Sequence, residues 1–257
     1  TLNLMITVGL VQANIKTNEV IANFKHYEEI IKRDLTKPVN LIVFPEMYTA
    51  GFSEDMYAEA DPMNGRGTEF LIRTAQQFQC DVVASMPVLQ EGKLFNRLVW
   101  MTQTRILGYY DKRHLFFGED QFTAGTRKTI VETLGGKFLP LICFDVRFPE
   151  WSRNHCVNGR FDYDCLVYVT NFPAPREEML TKLAVARAIE NQSYVLVTNR
   201  VGYDGKQRLH NGGTAVIDPS GNILAAAEPG QQMVVADLDF DALAALRKKF
   251  PVADQWE

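Results

Sequence analysis

The sequence predicts an α/β protein with mixed sheets, and three observations predict it. Strand-like and helix-like segments are interleaved along the chain. Hairpins are mixed in among them, so the sheets are not purely parallel. Several strand segments are apolar on both faces, the pattern of sheets covered on both sides.

Residues 4–12, LMITVGLVQ, read as the first strand. Val20, Ile21, Phe24, Tyr27, Ile31 and Leu35 then recur at helical spacing, with Asn18 as the N-cap. Residues 39–44, VNLIVF, form a second apolar strand. Phe70, Leu71, Thr74, Ala75 and Phe78 mark a helix, and DVVASM at 81–86 a strand. Residues 94–110 read as two strands of a hairpin. VETLGGKFLPLIC is a second hairpin, with Gly135-Gly136 supplying the positive φ angles of its turn. Pro149 suits the first turn of a helix and Gly159 its end. A strand at 164–169, a helix at 175–191 and a strand at 194–199 follow. Residues 212–237 hold three short strands, with a turn at Pro219-Ser220-Gly221-Asn222. A helix at 241–249 ends in Arg247, Lys248 and Lys249, with Pro251 as its stop.

No low-complexity segment, long linker or repeat divides the chain, so residues 1–257 are expected to form a single domain. Its core spans about 4–240, with a C-terminal helix and tail at 241–257. A net charge of −4 gives no reason to expect a nucleic-acid partner. No apolar run approaches the roughly 18 residues of a membrane span, and no basic and apolar leader opens the sequence. Cys80, Cys143, Cys156 and Cys165 are too sparse for a disulfide framework, so reduced thiols in the cytoplasm are expected. No CxxC, HxxxH or HxH pair occurs, and neither a metal site nor a cofactor is expected. Gly65-Arg66-Gly67 and Gly212-Gly213 carry no phosphate-loop pattern.

In α/β folds ligands gather at the carboxyl ends of strands. Three apolar segments end in a reactive group: LIVFPE in Glu46, ILGYYDK in Lys112 and LPLIC in Cys143. Singly, each has a bland reading as a capping acid, a solvated lysine or a core thiol. Together they make a kit for acyl transfer. A thiol with a pKa of about 8.5 is mostly protonated at neutral pH and needs a base, which a dehydrated carboxylate can be. The oxyanion formed on attack can be held by an ammonium and a backbone N–H. Spacing alone does not bring the three together or choose them over competing carboxylates.

LIVFPEM, YYDKRHLF and ICFDVRFPEW, in that order, resemble the nitrilase superfamily of carbon–nitrogen hydrolases, over about residues 4–240. The resemblance implies a four-layer α-β-β-α sandwich with two mixed sheets, paired into a homodimer or higher homo-oligomer. It implies Glu46 as general base, Lys112 as oxyanion stabiliser and Cys143 as nucleophile, with the Phe144 N–H as second oxyanion donor. It also implies a second glutamate after the lysine. FFGEDQFTAG offers Glu119 for orienting Lys112 and the substrate nitrogen, with Asp120 as rival.

CFDVRFPEWSRN, ARAIENQSYVLVTNRVG and VIDPSG are most similar to bacterial omega-amidases, which remove the terminal amide of 2-oxoglutaramate or 2-oxosuccinamate. Two departures bear on the substrate. Phe172 stands where many members carry Trp, which would alter pocket width, and Gly213 stands where many carry His or Asp. Arg147, four residues after Cys143, is a candidate for the substrate's far carboxylate, against a structural salt bridge to Asp145 or Glu150. His114 is expected to be a structural hydrogen-bonder and Asp145 an anchor of the turn after Cys143. Glu190 and Asn191, on a helix whose other face is Leu183, Ala184 and Ile189, are expected to satisfy buried backbone. Cys156 and Cys165 are expected to be core thiols. The expected partner is therefore a small amide substrate. The alternatives are an N-carbamoyl amino-acid or neutral-amide hydrolase, and a catalytically silent binding or scaffold protein.

Overall fold

The computed structural model describes residues 5–256, so Leu4, where the first expected strand begins, lies outside the described residues. In chain order the first half runs β1 (Met5–Gln12), α1 (Val20–Asp34), β2 (Leu41–Val43), α2 (Met56–Glu59), α3 (Arg66–Phe78), β3 (Asp81–Gln90), β4 (Lys93–Met101) and β5 (Ile106–Asp111). Then come β6 (Val131–Thr133), β7 (Gly136–Ile142), a 3-10 turn (Cys143–Arg147), α4 (Pro149–Ser152), β8 (Cys156–Val157) and β9 (Arg160–Phe161). The chain continues through β10 (Cys165–Val169), α5 (Glu177–Asn191), β11 (Tyr194–Thr198), β12 (Val201–Tyr203) and β13 (Leu209–Asn211). It closes with β14 (Ala215–Ile217), β15 (Ile223–Ala226), β16 (Gln232–Asp239) and α6 (Phe240–Lys249).

Two six-stranded mixed sheets result, in the orders β16-β1-β2-β3-β4-β5 and β15-β14-β11-β10-β7-β6. In the first, β1, β2 and β3 are parallel. In the second, β7, β10 and β11 are parallel, with Ile142, Val169 and Thr198 in register at their carboxyl ends. The inner faces meet in one apolar layer, where Val8, Leu10, Val43 and Trp100 of the first sheet join Phe138, Ile142, Val167 and Leu196 of the second. The outer face of the first sheet packs Ile42, Val82 and Ala84 against Phe24, Tyr27, Phe70 and Leu71 of α1 and α3. Leu180, Ala184 and Ala188 of α5 cover the second sheet. The layers are thus α-β-β-α, as the resemblance implies. Trp100 is fully buried and its indole N–H donates to Asp81 (2.9 Å), so its burial leaves no unpaired donor.

Several local expectations are corrected. Asn18 does not cap α1. Glu19 stands at the cap position and makes no side-chain cap bond, while Asn18 has φ 63° and its N–H donates to Ala50. The β6–β7 turn uses Leu134-Gly135, at φ 52° and 77°, rather than Gly135-Gly136. Gly136 already pairs with Thr133, and a Cβ there would lie 2.2 Å from the Phe240 ring. Gly159 turns the small β8–β9 hairpin instead of ending a helix, because α4 stops at Ser152. The helix expected at 175–191 starts as a 3-10 turn, Ala174–Arg176, and Ile189 on it is exposed. The β12–β13 hairpin is an element that the hydrophobic pattern did not reveal.

Candidate active site

The end of β2 carries Glu46 into the seam between the sheets. Its backbone N–H donates to Thr170 O of the other sheet (3.2 Å). Its side chain is wholly buried, and Oε1 accepts from Lys112 Nζ (2.7 Å) and Asn96 Nδ2 (2.9 Å). Lys112 follows β5 and is 1% exposed. It also donates to Glu119 Oε1 (2.8 Å), and its ammonium lies 5.9 Å from the centre of the Phe52 ring. Glu119 Oε2 accepts the Phe116 N–H (3.0 Å), which fixes the loop, whereas Asp120 is exposed. Glu119, rather than Asp120, is therefore the acid held against Lys112.

Cys143 ends β7 at φ 45°, in the left-handed region, and is 8% exposed. The sharp turn lifts the thiol out of the strand. Asp145, fully buried, holds that turn. Its Oδ2 accepts from Ile142 N–H (3.1 Å) and the Tyr110 hydroxyl (2.7 Å). Its Oδ1 accepts from His114 N–H (3.0 Å) and His114 Nδ1 (2.7 Å). His114 stacks on Phe148 at 3.7 Å between centroids. These contacts match the structural parts expected of Asp145 and His114, and they tie the chain around Lys112 to the turn that bears Cys143.

Electrostatics follow from burial. Two carboxylates share one ammonium in a dry place. Burial raises the Glu46 pKa above the ordinary carboxylate range, with Lys112 opposing and Glu119 adding to the rise. Burial also pulls on Lys112, but the Glu46 and Glu119 carboxylates outweigh it and the net shift is upward. Cys143 is pushed well up, by burial first and by Glu46 second, while Lys112 and the Asn171 backbone N–H pull the other way. The resting site thus holds a neutral thiol facing a carboxyl group of raised basicity, and among the described residues Glu46 Oε2 has no hydrogen-bond partner apart from that thiol. A carboxyl group so placed can take up a proton from the thiol.

Glu46, Glu119, Cys143, Phe144, Arg147 and Phe172 all line one pocket, with Lys112 beneath it. Phe144 and Phe172 form apolar wall together with Phe52, Phe116 and Phe117. Phe117 is 87% exposed at this loop. The Phe172 backbone is held on both sides, its N–H by Asn199 Oδ1 (2.9 Å) and its O by His210 Nδ1 (3.0 Å). Gly213 has φ 92°, a left-handed conformation that favours glycine over the His or Asp that the resemblance leads one to expect there. Among the described residues, no ion pair joins Arg147 to Asp145 or Glu150; its Nη1 contacts the Met179 sulfur. Asn191 does satisfy buried backbone, accepting from Asn154 N–H and donating to Arg187 O. Glu190 pairs with Arg187 instead. Cys165 is core, but Cys156 is half-buried in β8, which corrects its expected place. Among the described residues, no group of three or more His, Cys, Asp or Glu is placed to hold a metal.

Sequence reasoning missed Asn96, Asn171, Arg176, Lys206 and Arg208. Asn96 was detectable as a polar residue inside the apolar strand LFNRLVW. Asp204-Gly205 was a turn signal for the hairpin that brings Lys206 and Arg208. Nothing local marks Arg176.

Residues 7–248 match the family model described as carbon–nitrogen hydrolase. The chain is 39% identical over 238 residues to omega-amidase YafV of Escherichia coli K12, covering 90% of this chain and 88% of that protein. It is 31% identical over 254 residues to a Bacillus subtilis 2-oxoglutaramate amidase, covering 96% of each. Among solved structures, XC1258 from Xanthomonas campestris, a CN-hydrolase superfamily protein with an arsenic adduct in its active site, superposes with a TM-score of 0.94. That match has 32% identity and covers 98% of this chain and 97% of that one. The three motifs, the two-sheet sandwich and these likenesses agree: the chain belongs to the carbon–nitrogen hydrolase family of the nitrilase superfamily and is a hydrolase that acts on amides.

Proposed function

We propose that the protein hydrolyses the terminal amide of a small dicarboxylic acid monoamide, of the 2-oxoglutaramate or 2-oxosuccinamate type, through a cysteine thioester. The observation that carries this reading is the buried Glu46–Lys112–Glu119 line at a pocket that Cys143 lines and that also offers the guanidinium of Arg147, which has no ion-pair partner among the described residues. The names of the two amidase relatives support the substrate class.

In this mechanism Glu46 accepts the Cys143 proton as sulfur bonds to the amide carbon. The oxygen turns anionic and is held by Lys112 and the Phe144 N–H. Glu46 then gives its proton to the nitrogen, the C–N bond breaks and ammonia leaves. Glu119 keeps Lys112 and the leaving nitrogen in place. Water attacks the thioester, its proton passing to Glu46, and collapse releases the acid and restores the thiol. Arg147 binds the far carboxylate, and Phe172 sets the width of the pocket.

The test is ammonia release from 2-oxoglutaramate, 2-oxosuccinamate, an N-carbamoyl amino acid and hexanamide. The two oxo-acid amides are expected to give the highest kcat/KM, above hexanamide by roughly tenfold or more. Lys112→Met is expected to lower kcat by at least about 10²-fold, and Cys143→Ala to abolish turnover. Preference for the carbamoyl compound, or for hexanamide, overturns the substrate assignment. Wild-type kcat in Lys112→Met overturns the mechanism.

A further inference from the structure

Four cations besides Lys112 line the pocket: Arg147, Arg176, Lys206 and Arg208. The acids that line it are Glu46 and Glu119, and both are engaged by Lys112. The rim is therefore cationic in a chain whose net charge is −4.

The cations differ in how they are held. Arg208 is paired with Asp204 (2.7 Å). Arg176, half-buried just ahead of α5, lies over the Phe116 ring at 4.6 Å and has no ion-pair partner among the described residues. Stacking on a pocket-wall ring orients its fork before any anion arrives. Lys206 sits in the loop of the β12–β13 hairpin, also without an ion-pair partner among the described residues. That loop is built around buried Asp204. The Asp204 side chain accepts the Lys206 and Arg208 backbone N–H groups (2.9 Å each), and the His210 ring nitrogen lies 3.3 Å from it. The other His210 nitrogen bonds Phe172 O, so the hairpin is fastened to the pocket wall.

We infer that Arg176 and Lys206 are specificity-determining residues that, with Arg147, select amides whose far end is a carboxylate. The inference rests on the proposed dicarboxylic monoamide substrate. A carboxylate offers about four lone-pair sites, so it can take more than one cation. Arg176 supplies a directed contact. Lys206 is exposed, so its contribution is screened by salt and acts on approach. A competing reading gives Lys206 the task of balancing Glu54, Asp55 and Glu59 around the neighbouring cleft that it also borders.

The experiment measures the ratio of kcat/KM for 2-oxoglutaramate over hexanamide in wild type, Arg176→Met, Arg176→Lys and Lys206→Met. Melting temperatures are recorded alongside, at low and physiological salt. Arg176→Met is expected to lower the ratio by about tenfold, and Lys206→Met by about threefold at low salt and less at high salt. Arg176→Lys keeps the charge and is expected to keep most of the ratio. An unchanged ratio in both Met variants overturns the inference. So does an equal fall in Arg176→Lys and Arg176→Met, which would assign Arg176 to packing. A salt-independent ratio in Lys206→Met equal to wild type, with only a lowered melting temperature, overturns the part given to Lys206. A wild-type ratio near one refutes the proposed substrate instead, so the two failures are told apart.

Discussion

Cys143, the proposed nucleophile, is held at a conformational cost. A non-glycine residue in the left-handed region is disfavoured by about 1–2 kcal/mol, and here the four hydrogen bonds of Asp145 hold it there. The thiol stood out in the sequence because an apolar strand ran into charge, and its proposed role came from the motif resemblance. The strain did not stand out, because φ is set by the turn's tertiary anchors. Burial keeps Cys143 protonated at rest and likewise raises Cys80, to about 12, and Cys165, but Cys143 is 8% exposed against 3% and 0% for the other two. Cys156 is the accessible rival. In a Cys156→Ser background, iodoacetamide is expected to label Cys143 first and to abolish activity in step, as read by peptide mass mapping. Labelling of Cys80 or Cys165 with activity retained would refute Cys143 as nucleophile. His210 gives a second residue-scale prediction. Burial lowers its pKa to about 4, from about 6.5 in an unfolded chain. The unfolded state therefore binds the extra proton first. The stability associated with neutral His210 is complete above about pH 6.5 and is lost as pH falls towards 4, by on the order of 2–3 kcal/mol. The melting temperature of His210→Gln is expected to fall less steeply than wild type across that window. Parallel curves would refute it.

At the scale of elements, periodicity located most strands and helices, because α1, α3 and the parallel strands bury one continuous apolar face or two. It failed where a short polar segment is folded by its anchors. The β12–β13 hairpin is such a case, organised by Asp204 and His210 rather than by apolar alternation. The loop after β5 is another. Gly125 N–H donates to Lys112 O (2.9 Å), and a Cβ on Gly125 would stand 2.1 Å from Asp111 O. The backbone cannot yield there without moving Lys112. Gly125→Ala is expected to destabilise the protein by about 1–3 kcal/mol and to lower kcat more than KM changes. Urea unfolding and steady-state kinetics check both, and a variant with wild-type kcat would show that the loop does not position Lys112.

At the scale of the molecule, the two-sheet sandwich was beyond the reach of periodicity. β1 pairs with β16 across more than two hundred residues of sequence, Met5 opposite Asp239, and no local pattern announces that. Motif resemblance supplied the architecture, and the site came with it, since Glu46, Lys112 and Cys143 are far apart in sequence. What resemblance did not supply were the rim cations outside its motifs, which belong to the individual pocket. Among the described residues no helix is long and apolar enough to cross a membrane. We propose that the chain is a homodimer or larger assembly. Light scattering at micromolar concentration is expected to give at least twice 29.2 kDa, and a single-chain mass would refute it.

The Glu46 N–H that reaches Thr170 O bridges two halves of the machine. The proposed base and oxyanion holder, Glu46 and Lys112, follow strands of one sheet, and the Cys143 sulfur follows a strand of the other. Catalysis is therefore a gauge of alignment between two slabs. A chain whose sheets were each intact but had slipped along their shared apolar layer would keep its helices and strands and fall silent. The acyl intermediate of the proposed mechanism would work against such slippage, since its carbonyl oxygen would be gripped from one slab while its carbon is bonded to the other. In the proposed mechanism, each turnover momentarily rivets the sandwich shut.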